Sequence, residues 1–261
     1  MASHMTIYSW NMLYRNRELE RAFEFISRAD FDIFCLQEVP EPLLTQLKTL
    51  PCSIAFRIDT EKVFPSAIVP MFNVILSRHP ITLQSDIPFQ DQWSELPLLA
   101  HLFVFFMRPF HFAPMRSRGG LYVDIAVHGT TLRIFNLHLA LTYPAQRLKE
   151  FEQAMTEHNA TRPTVVCGDF NILEMPHISV LNWLMGGKMV DALRYKRERM
   201  HIEQRFVEHS LANPLRGTAT HSLSRSQLDH ILVSHTFSIK KAEVLPDRIG
   251  SDHHPIRVEV A

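Results

Sequence analysis

The sequence predicts a layered α/β domain, and three observations predict it. An apolar strand, an amphipathic helix and a second apolar strand follow one another over residues 6–38. Two alternating segments separated by a His-Gly turn occupy 120–139, and the β-branched run Thr164-Val165-Val166-Cys167 stops at Gly168. Strand, helix and strand in succession each need a partner for their apolar face, which is the logic of stacked layers. With 261 residues, 46% of them hydrophobic, the chain is long enough for one large domain or two small ones. No linker divides it. Met1-Ala2-Ser3-His4-Met5 reads like a cloning remnant with the natural start at Met5, so the domain is taken as residues 6–261 and His4 is not counted as a ligand.

Thr6-Ile7-Tyr8-Ser9-Trp10-Asn11 reads as a short strand ending on an amide. Leu19, Ala22, Phe23, Ile26 and Ala29 then recur at helical spacing with charges between them. Phe31-Asp32-Ile33-Phe34-Cys35-Leu36-Gln37-Glu38 is a second strand, finishing on a carboxylate, and Pro40 and Pro42 limit its run. Val74-Ile75-Leu76-Ser77-Arg78-His79-Pro80-Ile81 reads as a strand and a turn. The apolar run over 98–107 reads as a buried strand, followed by an irregular loop carrying Pro109, Phe110, Phe112 and Pro114. The alternative there is an aromatic lid that stacks on bases or touches lipid, and the sequence does not choose.

Alternation over 120–127 and 132–139 predicts an antiparallel hairpin with His138 near its end. Thr142 and Pro144 start a helix that carries Leu148, Phe151, Ala154 and Met155 on one face and Arg147 in its first turns. This helix leads to the strand at 164–169, after which Asp169 and Asn171 stand two residues apart, on one side of an extended backbone. Two later strands, around 227–233 and 251–258, each place an Asp beside an apolar run, and Gly250 and Pro255 frame the turn holding Asp252, His253 and His254.

Lys plus Arg and Asp plus Glu balance at 27 each, so no global field draws the chain to nucleic acid or to an anionic membrane, and any attraction to phosphate must be local. Cys35, Cys52 and Cys167 lack metal-binding spacing, and two of them lie in apolar strands, as suits free thiols in a reducing compartment. There is no uninterrupted apolar stretch of membrane-spanning length and no visible signal peptide, so a soluble cytoplasmic protein is expected.

Asn11, Glu38, His138, Asp169, Asn171, Asp229, Asp252 and His253 all sit at the edges of apolar strands, where ionisable groups are costly unless paired or bound to metal. Singly, each has a plain explanation: Asn11 and Asn171 as turn caps, Glu38 as half of an ion pair, Asp229 as a strand start, His138 as a hydrogen-bonded core histidine. Together they are a set of carboxylates, amides and imidazoles suited to holding a hard cation and moving protons.

In the order Ser-Trp-Asn, Leu-Gln-Glu, Asn-Leu-His-Leu, Gly-Asp-Phe-Asn, Leu-Asp-His-Ile and Ser-Asp-His-His-Pro, the sequence resembles the endonuclease/exonuclease/phosphatase superfamily, also called deoxyribonuclease I-like, from about residue 6 to 260. The resemblance implies a four-layer αββα sandwich of two mainly antiparallel sheets with helices outside. It implies that Glu38 is the main metal carboxylate, with Asn11 and Asp252 close to the same Mg²⁺ or Mn²⁺ ion, which would neutralise charge on a phosphodiester. Asp169 would orient or deprotonate the attacking water, with His253 as the other candidate base. Asn171 would donate to a phosphoryl oxygen, Asp229 would hold His253 in one tautomer, and His138 would stabilise or protonate the leaving oxygen.

A His at 138, where the apurinic-site repair branch has Tyr, turns the expectation towards the deoxyribonuclease and sphingomyelinase-like branches. Arg147 is either a phosphate contact or half of a surface ion pair, and His230 and His254 are expected to be packing residues or to support the site from behind. Asn73 and Thr220 lie in rim segments without an assigned role. The run Arg194-Tyr195-Lys196-Arg197-Glu198-Arg199 is a solvated face or a track for a nucleic-acid backbone. The leading expectation is a nuclease acting on DNA or RNA. The alternative is a phosphatase or phospholipid phosphodiesterase acting on phospholipid or inositol phosphate, and no stable protein partner is inferred.

Overall fold

In a computed structural model that describes residues 4–91, 93–127 and 129–261, the chain opens with β1 (Met5–Asn11), α1 (Leu19–Arg28), β2 (Ile33–Val39), α2 (Glu41–Leu47), β3 (Ser53–Val63), β4 (Ile68–Ser77) and β5 (Ile81–Pro88). It continues through α3 (Leu98–Phe106), β6 (Met115–Arg116), β7 (Gly119–Val127), β8 (Thr130–His138), α4 (Pro144–Met155) and β9 (Thr164–Asp169). Last come α5 (Val180–Leu184), α6 (Met189–Leu193), α7 (Lys196–Glu208), β10 (Leu211–Ala212), β11 (Asp229–Ser234), β12 (Ile239–Val244) and β13 (Ile256–Val260).

The strands form two mixed sheets, ordered β12-β13-β1-β2-β4-β3-β6 and β10-β11-β9-β8-β7-β5. Each is mainly antiparallel with one parallel pair, β1 with β2 and β8 with β9.

Alternation along each strand sorts the side chains into layers. Ile7, Ile33, Cys35, Ile75, Val123, Ile134, Val165, Cys167 and Ile231 are buried in one cluster between the sheets. Their neighbours Tyr8, Trp10, Phe34, Leu36 and Val74 face outward and are covered by Ala22 and Ile26 of α1 and Leu43 and Leu44 of α2. On the other side Tyr122, Phe135, Leu137, Val166 and Leu232 meet Phe151 of α4 and Ile202 and Phe206 of α7. Each such buried side chain contributes about 1.5–3 kcal/mol. Helix, sheet, sheet, helix is the expected αββα sandwich. Cys35, Cys52 and Cys167 are free thiols, the first and last fully enclosed.

Among the inward positions the mid-sandwich pair Gln37 and Asn136 is polar. Gln37 Nε2 donates to Asn136 Oδ1 at 2.7 Å, and Asn136 Nδ2 donates to the Leu36 and Val74 carbonyls of the facing sheet, both at 2.9 Å. These carbonyls lie where the β2–β4 register slips, between Leu36 and Val39.

The run over 98–107 is helical, which corrects the strand expected there. Pro97 caps α3, and only Ala100 and Val104 are buried within it. An almost wholly apolar run carries no periodicity, so its pattern matches an enclosed strand although most of this helix faces outward. The hairpin of β7 and β8 is as expected, but its turn residue His128 lies outside the described residues; Gly129 follows with φ +80°. Of the expected remnant at 1–5, residues 1–3 also lie outside the described residues, whereas Met5 opens β1 opposite Val260 and His4 sits exposed beside Glu259. Among the described residues no helix is long and apolar enough to cross a membrane.

Candidate active site

The inward register that buries Ile7, Ile134, Val165 and Ile231 runs out at the same end of both sheets, and there it presents polar groups. Asn11 ends β1, His138 ends β8, Asp169 ends β9 and Asp229 begins β11. His138, Asp169 and Asp229 lie on one rung of the second sheet, since Asp169 pairs with His138 on one side and Asp229 on the other. Gly168 makes that rung possible. At φ +145°, an added Cβ would lie 1.8 Å from the Leu137 carbonyl oxygen, so only glycine lets β9 come this close to β8.

Glu38 reaches the site by a different route. Strict alternation would turn it outward with Leu36, but the register slip and a φ of +53° re-aim it towards His138, whose Nε2 is 4.0 Å from Glu38 Oε1. Asp252 and His253 come from the turn before β13. Ser251 Oγ donates to the Asn11 carbonyl and accepts from the His253 N–H, and Trp10 Nε1 donates to the His253 carbonyl, which ties that turn to β1.

Seven of the predicted residues, Asn11, Glu38, His138, Asp169, Asn171, Asp252 and His253, line one cleft of about 400 Å³. Asp229 stands behind it. Its Oδ2 accepts from His253 Nδ1 at 2.9 Å and from Thr220 Oγ1 at 2.6 Å, so His253 turns Nε2 towards the cleft. Thr220 Oγ1 also accepts the Leu228 and Asp229 N–H groups; fully buried behind the cleft and not at its rim, Thr220 has a positioning role that the sequence does not announce.

Asp169 is held by Asn11 Nδ2 on Oδ2 and by the Asn171 N–H on Oδ1, each at 2.9 Å, while its Oδ2 lies 3.7 Å from both His138 Nε2 and His253 Nε2. The Asn171 side chain donates to the Leu139 carbonyl.

Two residues of the site escaped the sequence reading. Asp59 Oδ2 accepts from His138 Nδ1 at 2.6 Å, and Asn73 Nδ2 approaches its Oδ1 at 3.4 Å. Asp59 sits where β3 slips register against β4, in a segment whose mixed pattern announces no strand. The available signal was a carboxylate within Ile58-Asp59-Thr60. His221 faces the Asp252 carboxylate, Nε2 to Oδ2 3.5 Å, with its ring 4.6 Å from that of His253. The signal in the sequence is the adjoining Thr220, in a segment between two of the motifs.

Arg147 does not enter the cleft. It is only 1% exposed, donates to both Glu198 oxygens at 2.5 and 2.7 Å, and also reaches Asn182 Oδ1 and the Ala140 carbonyl. With its donors spent inside the protein, it is a buried ion pair, not the phosphate contact entertained from sequence. Arg118 takes the rim position instead, lining the cleft while donating to Glu150 and to the His138 carbonyl.

Opposed charges set the protonation pattern. Burial works against a charged His138, but the Asp59 carboxylate, with Asp169 and Glu38 behind it, lifts the ring to about 9. Burial likewise opposes a charged His253, and Asp229 and Asp169 lift it to about 10. Burial raises the Asp169 carboxyl, with His253 pulling down and Asp229 pushing up. Asp252 is taken down to about 2 by His221 and His253 in spite of burial. Two imidazoliums thus flank one buried carboxylate.

The donors also fit a hard divalent cation. Asn11, Glu38 and Asp252 offer oxygens to the cleft, and Asp252 Oδ1 is enclosed without a hydrogen-bond partner. His221, Asp252 and His253 also bring side-chain atoms within 4.8 Å of one another, but with its ring charged His253 is a proton donor there and not a ligand.

A family model described as Endonuclease/Exonuclease/phosphatase family matches residues 8–253. Similar solved structures include an endonuclease/exonuclease/phosphatase from Beutenbergia cavernae DSM 12333, with 18% identity, 98% of this chain and 71% of that one covered, and a TM-score of 0.69. The human Nocturnin catalytic domain with bound sulfate shares 15% identity over 99% of this chain and 93% of its own, TM-score 0.62. The mannosyl-6-phosphatase Bt3783 of Bacteroides thetaiotaomicron VPI-5482 shares 18% over 98% and 99%, TM-score 0.59. At such identities these likenesses establish the fold. A search of curated proteins gave no match. By the model that spans nearly all of its length, the chain belongs to the endonuclease/exonuclease/phosphatase family.

Proposed function

We propose that the protein is a divalent-metal-dependent phosphodiesterase whose substrate carries an apolar arm beside the phosphate, a phospholipid being the class that fits. Family membership makes it a hydrolytic phosphoesterase. The observation that carries the reading of its chemistry is the pair of carboxylate-held imidazoles, Asp59–His138 and Asp229–His253, on either side of Asp169.

In this reading Asp169, fixed by Asn11 and Asn171, orients the attacking water and takes its proton. His253, charged and held by Asp229, donates Nε2–H to a phosphoryl oxygen, and Asn171, with one side-chain N–H on the Leu139 carbonyl, offers the other to the same group. His138, charged and held by Asp59, gives its Nε2 proton to the leaving oxygen. Asn11, Glu38 and Asp252 would hold Mg²⁺ or Mn²⁺, which supplies charge neutralisation at the phosphate.

The cleft walls support the choice of substrate. Leu96, Val104, Phe110, Phe112, Leu181 and Met185 all line it. The basic run that favoured nucleic acid is partly consumed within the protein, Arg199 on Glu174 and His230 and Glu198 on Arg147. A nuclease is the second reading, favoured by Arg15, Lys62 and Arg118 in the cleft and by the Phe110 and Phe112 rings on which bases could stack.

The test is hydrolysis of a panel of phosphatidylcholine, sphingomyelin, inositol phosphates, DNA and RNA, with Mg²⁺, Mn²⁺ or chelator. Glu38→Ala should cost at least about a hundredfold in turnover with the melting temperature little changed, the scale on which one charge-stabilising group acts. Cleavage confined to nucleic acid would overturn the lipid reading, and full activity of Glu38→Ala would overturn the metal assignment.

A further inference from the structure

α3 exposes an apolar face that nothing among the described residues covers. Leu98 is 73% exposed, Phe105 56% and Phe106 71%, and Phe110, in the turn after the helix, 67%; Leu102 lies between them on the same side. Burying such side chains inside the protein was available to the chain, as Ala100 and Val104 of the same helix show. Large apolar side chains left exposed together along one helix face mark a contact surface.

Two features say what the contact is. From Leu96 to Val123 the chain has no Asp or Glu, while exposed Arg108 stands at the end of the helix with its guanidinium 5.1 Å from the Phe105 ring centroid. An apolar ridge edged by a cation complements acyl chains beneath anionic phosphate head groups. The ridge is also continuous with the cleft, since Val104, Phe110, His111 and Phe112 line the cleft wall. α3 packs against α5, which lends exposed Val180, and Leu223, 72% exposed, belongs to the cleft lining as well. The apolar surface therefore extends along the mouth of the site.

We infer that α3 and the Arg108–Phe110 turn dock the protein on a bilayer containing anionic phospholipid, with the cleft mouth at the interface. This rests on the phospholipid reading for its purpose, but it makes a separate claim about binding. A lipid drawn part-way from the bilayer would keep its acyl chains against the ridge while its phosphodiester reached Asp169 and His253.

The experiment is sedimentation of the full chain with sucrose-loaded vesicles of phosphatidylcholine, with and without phosphatidylglycerol. The wild-type protein should pellet, more so with the anionic lipid. Leu98→Ser with Phe106→Ser, neither residue lining the cleft, should lower the partition coefficient by about a hundredfold, tenfold for each side chain. Its melting temperature and its hydrolysis of soluble bis(p-nitrophenyl) phosphate should stay unchanged. Should that variant fold poorly, Arg108→Glu supplies the second measurement, a loss of the extra binding to anionic vesicles.

Absence of pelleting by the wild-type protein, or equal pelleting by the variants, would overturn the docking surface. So would a wild-type dimer in solution that the substitutions dissociate, or a selective loss of single-stranded DNA binding. Hydrolysis of detergent-dispersed phospholipid without vesicle binding would sink the docking claim alone. Vesicle binding without any lipid hydrolysis would sink the substrate reading alone.

Discussion

Asp59→Asn isolates the proton carried by His138. The substitution keeps a side-chain oxygen to accept from His138 Nδ1, now 2.6 Å from the carboxylate, and removes its charge. With Asp59 the ring titrates at about 9 in spite of its burial. Asp59 is the largest of the three carboxylates that lift the ring, so the substitution lowers its pKa; a fall to an ordinary value of about 6.5 would remove about 3 kcal/mol of preference for the charged form. At pH 7.5 the protonated fraction then falls from nearly complete to roughly one molecule in ten.

If His138 protonates the leaving oxygen, kcat for a substrate with an alkoxide leaving group should fall about tenfold at that pH. The ratio of variant to wild type should climb back towards one as the pH is lowered towards 6. A p-nitrophenolate leaving group needs no proton, so the same variant should be nearly unimpaired with bis(p-nitrophenyl) phosphate. The assay is kcat against pH from 5.5 to 8.5 for the two substrates at saturating Mn²⁺. A loss that is flat with pH and equal for both leaving groups would refute the acid role and leave Asp59 as a packing residue.

Other consequences can be checked by stability and kinetics together. Arg147→Ala leaves Glu198 buried without its cation and should destabilise the fold by about 3–5 kcal/mol in urea unfolding, with KM for a phosphodiester unchanged in the folded enzyme; a raised KM at full stability would restore the phosphate contact. His230 donates Nδ1–H to the Leu228 carbonyl, takes Arg199 Nη1 on Nε2 and stacks on Phe170, and burial with Arg199 beside it holds its pKa well below the ordinary value. The unfolded chain therefore binds the extra proton below about pH 6.5, so stability falls as pH drops through that point, by up to about 1.4 kcal/mol per pH unit until the folded ring titrates. His230→Gln should be less stable at neutral pH yet show a shallower fall of the urea midpoint between pH 6.5 and 5, and an equal or steeper fall would contradict the assignment.

What the sequence revealed and what it hid follow from how each residue reaches the site. Asn11, His138, Asp169 and Asp229 continue the inward alternation of strands whose apolar runs are plain, so their convergence could be anticipated one strand at a time. Glu38 was found by its position after an apolar run and by the family resemblance; the slip that aims it inward leaves no mark in the pattern. Asp59 lies in β3, where charged and apolar residues alternate over a half-exposed surface, so it looked like one more solvated carboxylate. Arg147 misled because a buried ion pair and a phosphate contact demand the same residue, and only the position of Glu198, far along the chain, decides between them. α3 misled for the opposite reason, since its exposed leucines and phenylalanines defeat the assumption that an apolar run is an enclosed one.

The bridge between Gln37 and Asn136 has a consequence for precision. Glu38 follows Gln37 on one sheet, and His138 stands two residues beyond Asn136 on the other, so the two halves of the cleft are carried on separate slabs. Apolar faces in contact resist separation but have little directional preference against creep. The three hydrogen bonds from Gln37 and Asn136 supply that direction, and they fasten the slabs one step below the chemistry. Since a misplacement of about 1 Å at a reacting centre can cost a hundredfold in rate, the alignment tolerance of the cleft is set in mid-sandwich, by amides that never meet the substrate.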